Sequence, residues 1–166
     1  GIPLLGLEPS CVFTIRDDLK DLVPGSGIVS RQARLVEEYL LEAQRSDSVS
    51  LNLKSANGRH AAVHGHCHQK ASNAFRPTLD ILRLIPDINV DEIESTCCGM
   101  AGAFGYQADT YKISREIGEL EFLPAIRKVP KESLIIADGT SCRHRVASVT
   151  GREASHVITV LRDFLQ

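Results

Sequence analysis

The five cysteines are the residues of this sequence best suited to chemistry, and two of them are adjacent. Cys97 and Cys98 open the stretch "CCGMAGAFGY", which also contains three glycines. Neighbouring thiols add little to a hydrophobic core and are easily oxidised. In a reducing compartment, cysteines are more often ligands or reactive groups than disulfide partners. The pair therefore predicts a site that uses both sulfur atoms.

Each cysteine follows a segment whose composition predicts a β-strand. Cys11 follows the first predicted strand, Cys67 the second, Cys97 and Cys98 the third, and Cys142 the fourth. The carboxyl ends of parallel strands meet at one edge of a sheet, where ligands usually bind. We therefore expect all five thiols to line one pocket at that edge.

Clustered thiolates suit zinc or an iron–sulfur centre, because soft sulfur ligands stabilise these metals. Adjacent cysteines can bridge or flank a multinuclear centre, and glycines beside them leave amide N–H groups free to bond sulfur. Three alternatives fit the pattern less well: inert packing of the thiols, a strained Cys97–Cys98 disulfide, and a single Cys–His nucleophile.

Six histidines could assist the cysteines, and three of them surround Cys67 in "HGHCHQK". Alternate side chains of a strand share a face, so His64 and His66 can point the same way. Ligation, hydrogen bonding to sulfur and simple loop polarity all stay open for the histidines. His68 and His144 closely follow cysteines and are the better candidates for ligation or for bonding to sulfur. We expect two others on the surface: His60 and His156.

Strands and helices alternate along the chain. Short apolar runs such as "IPLLGL" are typical of buried parallel strands, and longer segments show helical spacing of apolar residues. The predicted strands cover residues 2–7, 60–65, 89–93 and 133–138, with a weak fifth at 49–53. The predicted helices cover residues 10–22, 31–45, 69–84 and 111–128, a stretch from about 142, and a terminal segment from about 157.

This alternation predicts an α/β fold. We expect a Rossmann-like, open and mostly parallel sheet with helices on both faces, giving three layers. At 166 residues, a single domain is the default. No P-loop is present and no G-x-G-x-x-G follows a strand, so nothing supports a dinucleotide site.

Composition excludes several classes of partner. The net charge is −2, and there is no Trp and no basic block, so binding to nucleic acid is not expected. No apolar run approaches the roughly 20 residues of a membrane-spanning helix, and no signal segment is visible. We expect a cytoplasmic setting. Because the chain opens on Gly1 and a predicted strand, we also expect it to be a piece of a longer polypeptide.

Five ordered blocks give the sequence a family resemblance. They are "GLEPSC" (6–11), "HGHCHQKA" (64–71), "CCGMAGAFGY" (97–106), "ADGTSCRH" (137–144) and "SHVITVL" (155–161). With these, the chain resembles the cysteine-rich CCG domain of heterodisulfide reductase subunits and of glycolate oxidase and glycerol-3-phosphate dehydrogenase iron–sulfur subunits. The combination is most similar to the C-terminal part of FAD-linked oxidases of the D-2-hydroxyglutarate and D-lactate dehydrogenase kind.

The resemblance implies a [4Fe–4S] cluster of non-standard type, or zinc in some members. Cys67, Cys97, Cys98 and Cys142 fall on the family's motif cysteines. The family pattern ends in C-x-x-C, whereas this chain has Arg145 in place of the final cysteine. Cys11 is the candidate to restore the count of thiolates, with His144 as a weaker substitute.

The resemblance also implies a function: an electron-transfer module of an FAD-linked oxidoreductase that acts on a 2-hydroxy acid. FAD would bind in another part of the parent protein, and flavin-binding and ferredoxin-like domains would be the partners. Peripheral association of the full complex with a membrane stays open. Because no flavin segment is visible, we expect no oxidation of a 2-hydroxy acid by this chain alone. The alternatives are a zinc-stabilised docking domain and thiol–disulfide reduction at the cluster.

Overall fold

In a computed structural model, which describes residues 1–166, the strands form two small parallel sheets. In chain order the strands are β1 (Leu4–Gly6), β2 (Ala33–Leu35), β3 (His60–His64), β4 (Asn89–Glu92) and β5 (Leu134–Ala137). Strand β3 lies between β4 and β5 and is parallel to both, while β1 pairs only with β2. The expected α/β class with parallel strands is confirmed, with the strands divided over two sheets rather than joined in one.

Ten α-helices connect and flank the strands. They are α1 (Pro9–Phe13), α2 (Leu19–Leu22), α3 (Gly27–Gln32), α4 (Val36–Arg45), α5 (Cys67–Ala71), α6 (Arg76–Leu82), α7 (Ala108–Leu120), α8 (Phe122–Lys128), α9 (Thr140–Thr150) and α10 (Val157–Phe164). A π-helical turn at Thr14–Asp18 joins α1 to α2, and a 3₁₀ turn at Gly102–Tyr106 precedes α7. None of these helices combines the length and apolar character needed to cross a membrane.

Helices cover both faces of the three-stranded sheet. Ala61 and Val63 of β3 belong to one buried core, which also contains Leu82 of α6 and Val160 of α10. Ala62, between them in sequence, belongs to a second core with residues of α8 and α9. The alternation follows from the two-residue repeat of a strand. Each fully buried Leu or Ile stabilises the fold by about 1.5–3 kcal/mol relative to exposure, so both layers contribute to stability.

The segment from Arg31 to Arg45, expected to be one helix, contains a strand. Its first residues end α3 and then form β2, and α4 begins only at Val36. Ala33 and Leu35 are 1% and 0% exposed beside β1, so tertiary pairing overrides their helix propensity. The Glu38 carboxylate accepts a hydrogen bond from the Leu35 N–H at 2.8 Å and fixes the start of α4.

Other expectations also need correction. The first strand forms, but Leu4 and Leu5 are 43% and 40% exposed, because the two-stranded sheet leaves β1 at an open edge. The helix expected over residues 69–84 divides into α5 and α6, with Asn73 between them at φ +53°. The weak strand at 49–53 is reduced to one bridge between Leu53 and Leu165.

The helix expected over residues 111–128 also divides, but at Glu121 and not at Pro124. Pro124 lies in the first turn of α8, where a missing N–H costs no helical hydrogen bond. The strands expected near residues 60–65, 89–93 and 133–138 and the helices after Gly139 and His156 are all present, with small shifts of their ends.

One buried amide ties the helical layers to the sheet. Nε2 of Gln69 lies 3.1 Å from each of three oxygens: Oε1 of Glu37 on α4, Oγ1 of Thr78 on α6 and Oδ2 of Asp138 after β5. All four side chains are buried. Because a buried polar group without a partner is costly, these residues specify how α4, α5 and α6 meet the end of β5.

Glu37 is the one member of this group with a buried oxygen that lacks a hydrogen-bond partner. Burial, followed by the nearby Asp138, raises the pKa of Glu37 from 4.5 to about 8, and its Oε2 has no hydrogen-bond partner. The folded chain therefore keeps the Glu37 proton over a pH range in which the unfolded chain loses it. The unfolding free energy must fall as pH rises from about 4.5 to about 8.

Replacing Glu37 by Gln should remove this pH dependence, because an amide has no proton to lose. We expect Glu37→Gln to be more stable than the parent at pH 8 by on the order of 2 kcal/mol, and to differ little at pH 5. Urea unfolding between pH 5 and 9 measures the difference. Glu42→Gln, an exposed change on the same helix, is the control. Parallel stability curves for the parent and Glu37→Gln would contradict the assignment.

Candidate functional site

Three of the cysteine-bearing loops leave the carboxyl ends of the three-stranded sheet. Cys67 begins α5 after β3, the Cys97–Cys98 pair lies in the connection after β4, and Cys142 lies in the first turn of α9 after β5. Because β3, β4 and β5 are parallel, these loops share one edge. The topology thus brings together residues that are up to 75 positions apart, as the span from Cys67 to Cys142 shows.

Two of the thiols at this edge are in direct contact, and two more influence the pKa of a neighbouring thiol. Sγ of Cys142 lies 3.4 Å from Sγ of Cys98, and these two residues are 1% and 6% exposed. The Cys98 thiol is also hydrogen-bonded to Cys97, and Cys97 is close enough to Cys67 to influence its pKa. The Gly99 N–H donates to Sγ of Cys97 at 3.3 Å, which directs one backbone amide at the cluster. The loops of these four cysteines thus share one edge of the sheet, while their joint role as ligands stays a prediction.

The thiols hold one another in the protonated form. The hydrogen bond between Cys98 and Cys142 raises the pKa of Cys98 to about 12. The hydrogen bond with Cys98, together with burial, raises the pKa of Cys97, and burial followed by the charge of Cys97 raises the pKa of Cys67. Without a cation, these three thiols are neutral at pH 7. A metal ion would have to displace their protons.

Cys11 differs from the other four in its element and its hydrogen bonds. It is exposed on α1 and forms no hydrogen bond with another thiol. Its helix packs against α5, and Oε2 of Glu8 accepts a hydrogen bond from the Thr140 N–H at 2.8 Å. Cys11 thus follows a strand of the second sheet, and its role as a ligand stays a prediction.

Glu8 stabilises the start of α9. Burial acts to raise the pKa of Glu8, but hydrogen bonds from Thr140 and Ser10 outweigh it and leave the pKa lower than usual. The ionised carboxylate then satisfies an otherwise free N–H of α9 in the turn that carries Cys142. The fixed position of this helix end also fixes Cys142.

His66 is in contact with a thiol, since its Nδ1 lies 3.9 Å from Sγ of Cys67. It is buried, and its Nδ1 accepts a hydrogen bond from the His68 N–H at 3.3 Å, which caps α5. A Cβ on Gly139 would lie 2.3 Å from Cδ2 of His66 and 3.3 Å from Sγ of Cys142, so the ring and this sulfur flank one glycine. Burial lowers the pKa of His66, and the neutral ring carries its proton on Nε2. The spacing His66-x-x-Gln69, which forms a capping box, is the sequence signal that identifies it.

The two histidines preferred from the sequence do not contact a thiol. His68 is exposed, with its ring centroid 6.4 Å from that of Phe13, and His144 is exposed, with its ring 5.1 Å from that of Tyr106. His64 is buried against Phe122, and burial lowers its pKa to about 3. It is therefore a neutral core residue.

The two histidines expected on the surface are both partly buried and hydrogen-bonded. His60 Nδ1 lies 2.8 Å from Oγ of Ser133, and His156 Nδ1 accepts from the Ile158 N–H at 3.1 Å, which caps α10. Both residues have a structural role that composition and spacing did not indicate.

The glycine after the cysteine pair allows the turn to approach α7. Gly99 has φ +82°, and a Cβ there would lie 2.1 Å from the Ser114 carbonyl oxygen and 2.9 Å from the Gly118 nitrogen. Oγ of Ser114 donates to the Gly99 carbonyl at 2.6 Å. Only glycine can adopt this conformation this close to the helix. The position of both adjacent thiols depends on that contact.

The donor set suits a thiophilic metal, although the side chains are not arranged around one. No group of three or more His, Cys, Asp or Glu side chains is positioned to hold a metal ion. The 3.4 Å between the Cys98 and Cys142 sulfurs is nevertheless close to the spacing of about 3.8 Å that zinc–sulfur bonds of about 2.3 Å produce. Rotation of the thiols and loss of their protons would be needed, so the residues fit such a group by the chemistry of their donors and, for Cys98 and Cys142, by proximity.

Comparison with known proteins gives relatives along the whole chain. It is 27% identical over 172 residues to a subunit of the anaerobic glycerol-3-phosphate dehydrogenase of Escherichia coli (strain K12), covering 99% of this chain and 41% of that protein. It is 27% identical over 167 residues to the D-2-hydroxyglutarate dehydrogenase of the same organism, covering all of this chain and 16% of that protein. The enzyme of that name from Pseudomonas putida is 28% identical over 168 residues, again with 16% of its length covered.

The chain thus spans less than half the length of these relatives, and the matched segments are their C-terminal part. No protein-family model matches the chain. No solved structure matches it either. The expected similarity to these two dehydrogenases is confirmed, while assignment to the CCG domain stays a prediction from the motifs.

Substitution of Gly99 tests the geometry of the cysteine turn. We expect Gly99→Ala to destabilise the chain by about 3 kcal/mol or more, because it adds a clash to the strain of a positive φ. Gly102→Ala is the matched control, since Gly102 also has a positive φ, +63°, but nothing lies within 4 Å of the position that its added methyl group would take. The control should cost only about 1–2 kcal/mol. Equal losses in urea unfolding would show that the Gly99–Ser114 contact is not tight.

Proposed function

We propose that this chain is a metal-binding, electron-transfer module of a larger FAD-linked oxidoreductase. Cys67, Cys97, Cys98 and Cys142 would hold an iron–sulfur centre of non-standard type, or zinc. The observation that carries the proposal is the 3.4 Å contact between the Cys98 and Cys142 sulfurs, with Cys97 and Cys67 on loops at the same carboxyl edge of a parallel sheet. Two of these thiols are almost fully buried, a setting that excludes water from a bound centre.

When bound, an iron–sulfur centre supplies one-electron transfer. The chain's own residues contribute ligands and environment. The Gly99 N–H donates to the Cys97 sulfur, and Nδ1 of His66 lies 3.9 Å from the Cys67 sulfur. Hydrogen bonds to ligand sulfur withdraw negative charge and favour the reduced state. The amino end of α9 acts in the same direction on Cys142.

The names of the relatives suggest that the matched segment serves a reaction step common to these enzymes, and not the binding of one substrate. One is named for glycerol-3-phosphate and the others for D-2-hydroxyglutarate, yet this chain matches them at nearly equal identity. A segment common to enzymes with different substrates is better suited to passing electrons than to binding the substrate. We therefore assign oxidation of a 2-hydroxy acid, with FAD, to other parts of the parent protein, in a cytoplasmic and reducing setting that keeps the thiols free.

A second candidate function is the docking of partner domains, with a zinc ion that stabilises the fold. It is favoured by the apolar residues on and beside β1, where Ile2 is 90% and Leu7 55% exposed. Because β1 has an unpaired edge, flavin-binding or ferredoxin-like domains of the parent could cover these residues. Iron and acid-labile sulfide in the anaerobically purified parent protein would favour electron transfer, and zinc alone would favour docking.

Single cysteine substitutions test the ligand set. We expect Cys98→Ser to reduce zinc affinity by about 100-fold or more, and to reduce iron retained after anaerobic reconstitution, because a hydroxyl is a poor ligand for either metal. Cys11→Ser is the matched control, since Cys11 is exposed and forms no hydrogen bond with another thiol. A competition assay with a chromophoric chelator measures zinc affinity. An equal loss in both variants would add Cys11 to the site, and no loss in Cys98→Ser would exclude the proposed centre.

Metal affinity should also depend strongly on pH. Three thiols have raised pKa values, so protons compete with the metal throughout the neutral range. Each displaced proton contributes about a tenfold gain in affinity per pH unit, and we expect a gain of at least about 100-fold per unit between pH 6 and 8. Zinc titrations at three pH values measure this slope. An affinity independent of pH would mean that the metal binds elsewhere.

A further inference from the structure

Arg145 is a fully buried cation without a counter-ion. It lies on α9, three residues after Cys142, and is 0% exposed. Its Nη2 donates to Oγ of Ser114, while Nε and Nη1 have no hydrogen-bond partner. Its guanidinium carbon is 5.7 Å from the centre of the Tyr111 ring. No carboxylate forms an ion pair with it, although eight other Lys and Arg side chains of the chain have such a partner.

A buried guanidinium without a counter-ion lowers the stability of the folded chain when no metal is bound. A guanidinium cannot lose its proton in a protein, so Arg145 cannot become neutral as a buried lysine or carboxyl group can. A buried charge normally has a partner of opposite charge, and the aromatic ring of Tyr111 replaces only a part of it. Two unpartnered nitrogens indicate that the anion which completes this environment is not among the side chains.

The surroundings of Arg145 connect it to the thiols. Residues three apart on a helix lie on neighbouring positions of its surface, so Arg145 and Cys142 share a side of α9. Ser114, which accepts from Arg145, donates to the Gly99 carbonyl, and the Gly99 N–H donates to Cys97. The guanidinium is thus one hydrogen-bonded residue behind the turn that carries the cysteine pair.

We propose that Arg145 is the fixed counter-charge of the metal–thiolate centre; this rests on the proposed function. Four thiolates carry four negative charges and one divalent ion only two positive charges, so the bound centre is an anion in a buried place. Arg145 would offset part of this charge without taking a ligand position. It is a positioning residue that acts through the electrostatic field and through Ser114.

Three variants of the full chain test this role by zinc titration at fixed pH. Arg145→Met removes the charge and keeps the volume, Arg145→Gln removes the charge but can still bond Ser114, and Arg145→Lys keeps the charge. We expect the first two to lose about 10- to 100-fold in zinc affinity, and the lysine variant to stay within about threefold of the parent. Arg115→Met, an exposed change of equal charge on α7, is the control and should have no effect.

The metal-free variants supply a readout that a structural role would not give. Replacing an uncompensated buried charge by an apolar side chain is often neutral or stabilising, so Arg145→Met should unfold at the same or a higher temperature than the parent without metal. With zinc bound, its gain in stability should be smaller than the parent's. Arg145→Gln and Arg145→Lys do not place an apolar side chain at this position. The zinc affinities of these two variants can therefore still be compared with the parent if Arg145→Met does not fold.

The outcomes separate the two proposals. Parent-level zinc affinity in both Arg145→Met and Arg145→Gln would overturn the counter-charge role while leaving the thiolate site intact. A loss in Arg145→Lys as large as in Arg145→Gln would show that the shape of the guanidinium, and not its charge, is required, and would also overturn it. Failure of the parent chain to bind zinc or iron would instead refute the proposed function itself.

Discussion

The side-chain amide of Gln69 is the interaction on which most of the fold depends. It joins Glu37, Thr78 and Asp138, which come from three different parts of the chain. Its Oε1 accepts from the His66 N–H at 3.0 Å, and the other carboxylate oxygen of Asp138 accepts from the Val157 N–H at 3.1 Å. The same group therefore fixes the turn before Cys67 and the start of α10. In a core where an unsatisfied polar group is costly, this network leaves few alternative ways to pack the helices on the sheet.

Two buried ionisable groups in the molecule illustrate opposite solutions to the cost of burial. Glu37 avoids a charge by keeping its proton, and this is possible because burial and Asp138 raise its pKa. Arg145 has no such option and retains an unpaired charge close to the thiols. The thiols themselves are neutral while no metal is bound. Under the proposed function, metal binding removes their protons and creates the negative charge that the surroundings of Arg145 lack.

The site is built mainly from backbone geometry and less from special side chains. Gly99 and Gly139 each allow an approach that a single methyl group would block, one against α7 and the other against His66 and Cys142. Glu8 and His66 cap the two helices that carry Cys142 and Cys67. The ligands are thus positioned by turns and helix ends at the edge of a sheet, an arrangement that can be retained in relatives whose overall identity is only 27%.

The sequence alone determined most of the strand-and-helix order, since apolar runs and helical spacing are local signals. Parallel pairing follows from that order, and it brings Cys67, Cys97, Cys98 and Cys142 to one edge. Tertiary structure decided the rest. Residues 33–35 become β2 because they pair with β1, and Cys11 therefore follows a strand of a separate second sheet. The burial of His66 and Arg145 likewise arises from contacts with residues 31 to 73 positions away, for example Ser114 and Gly139. Such contacts leave no periodic pattern in the chain, because they depend on how whole elements pack and not on the spacing of neighbouring residues.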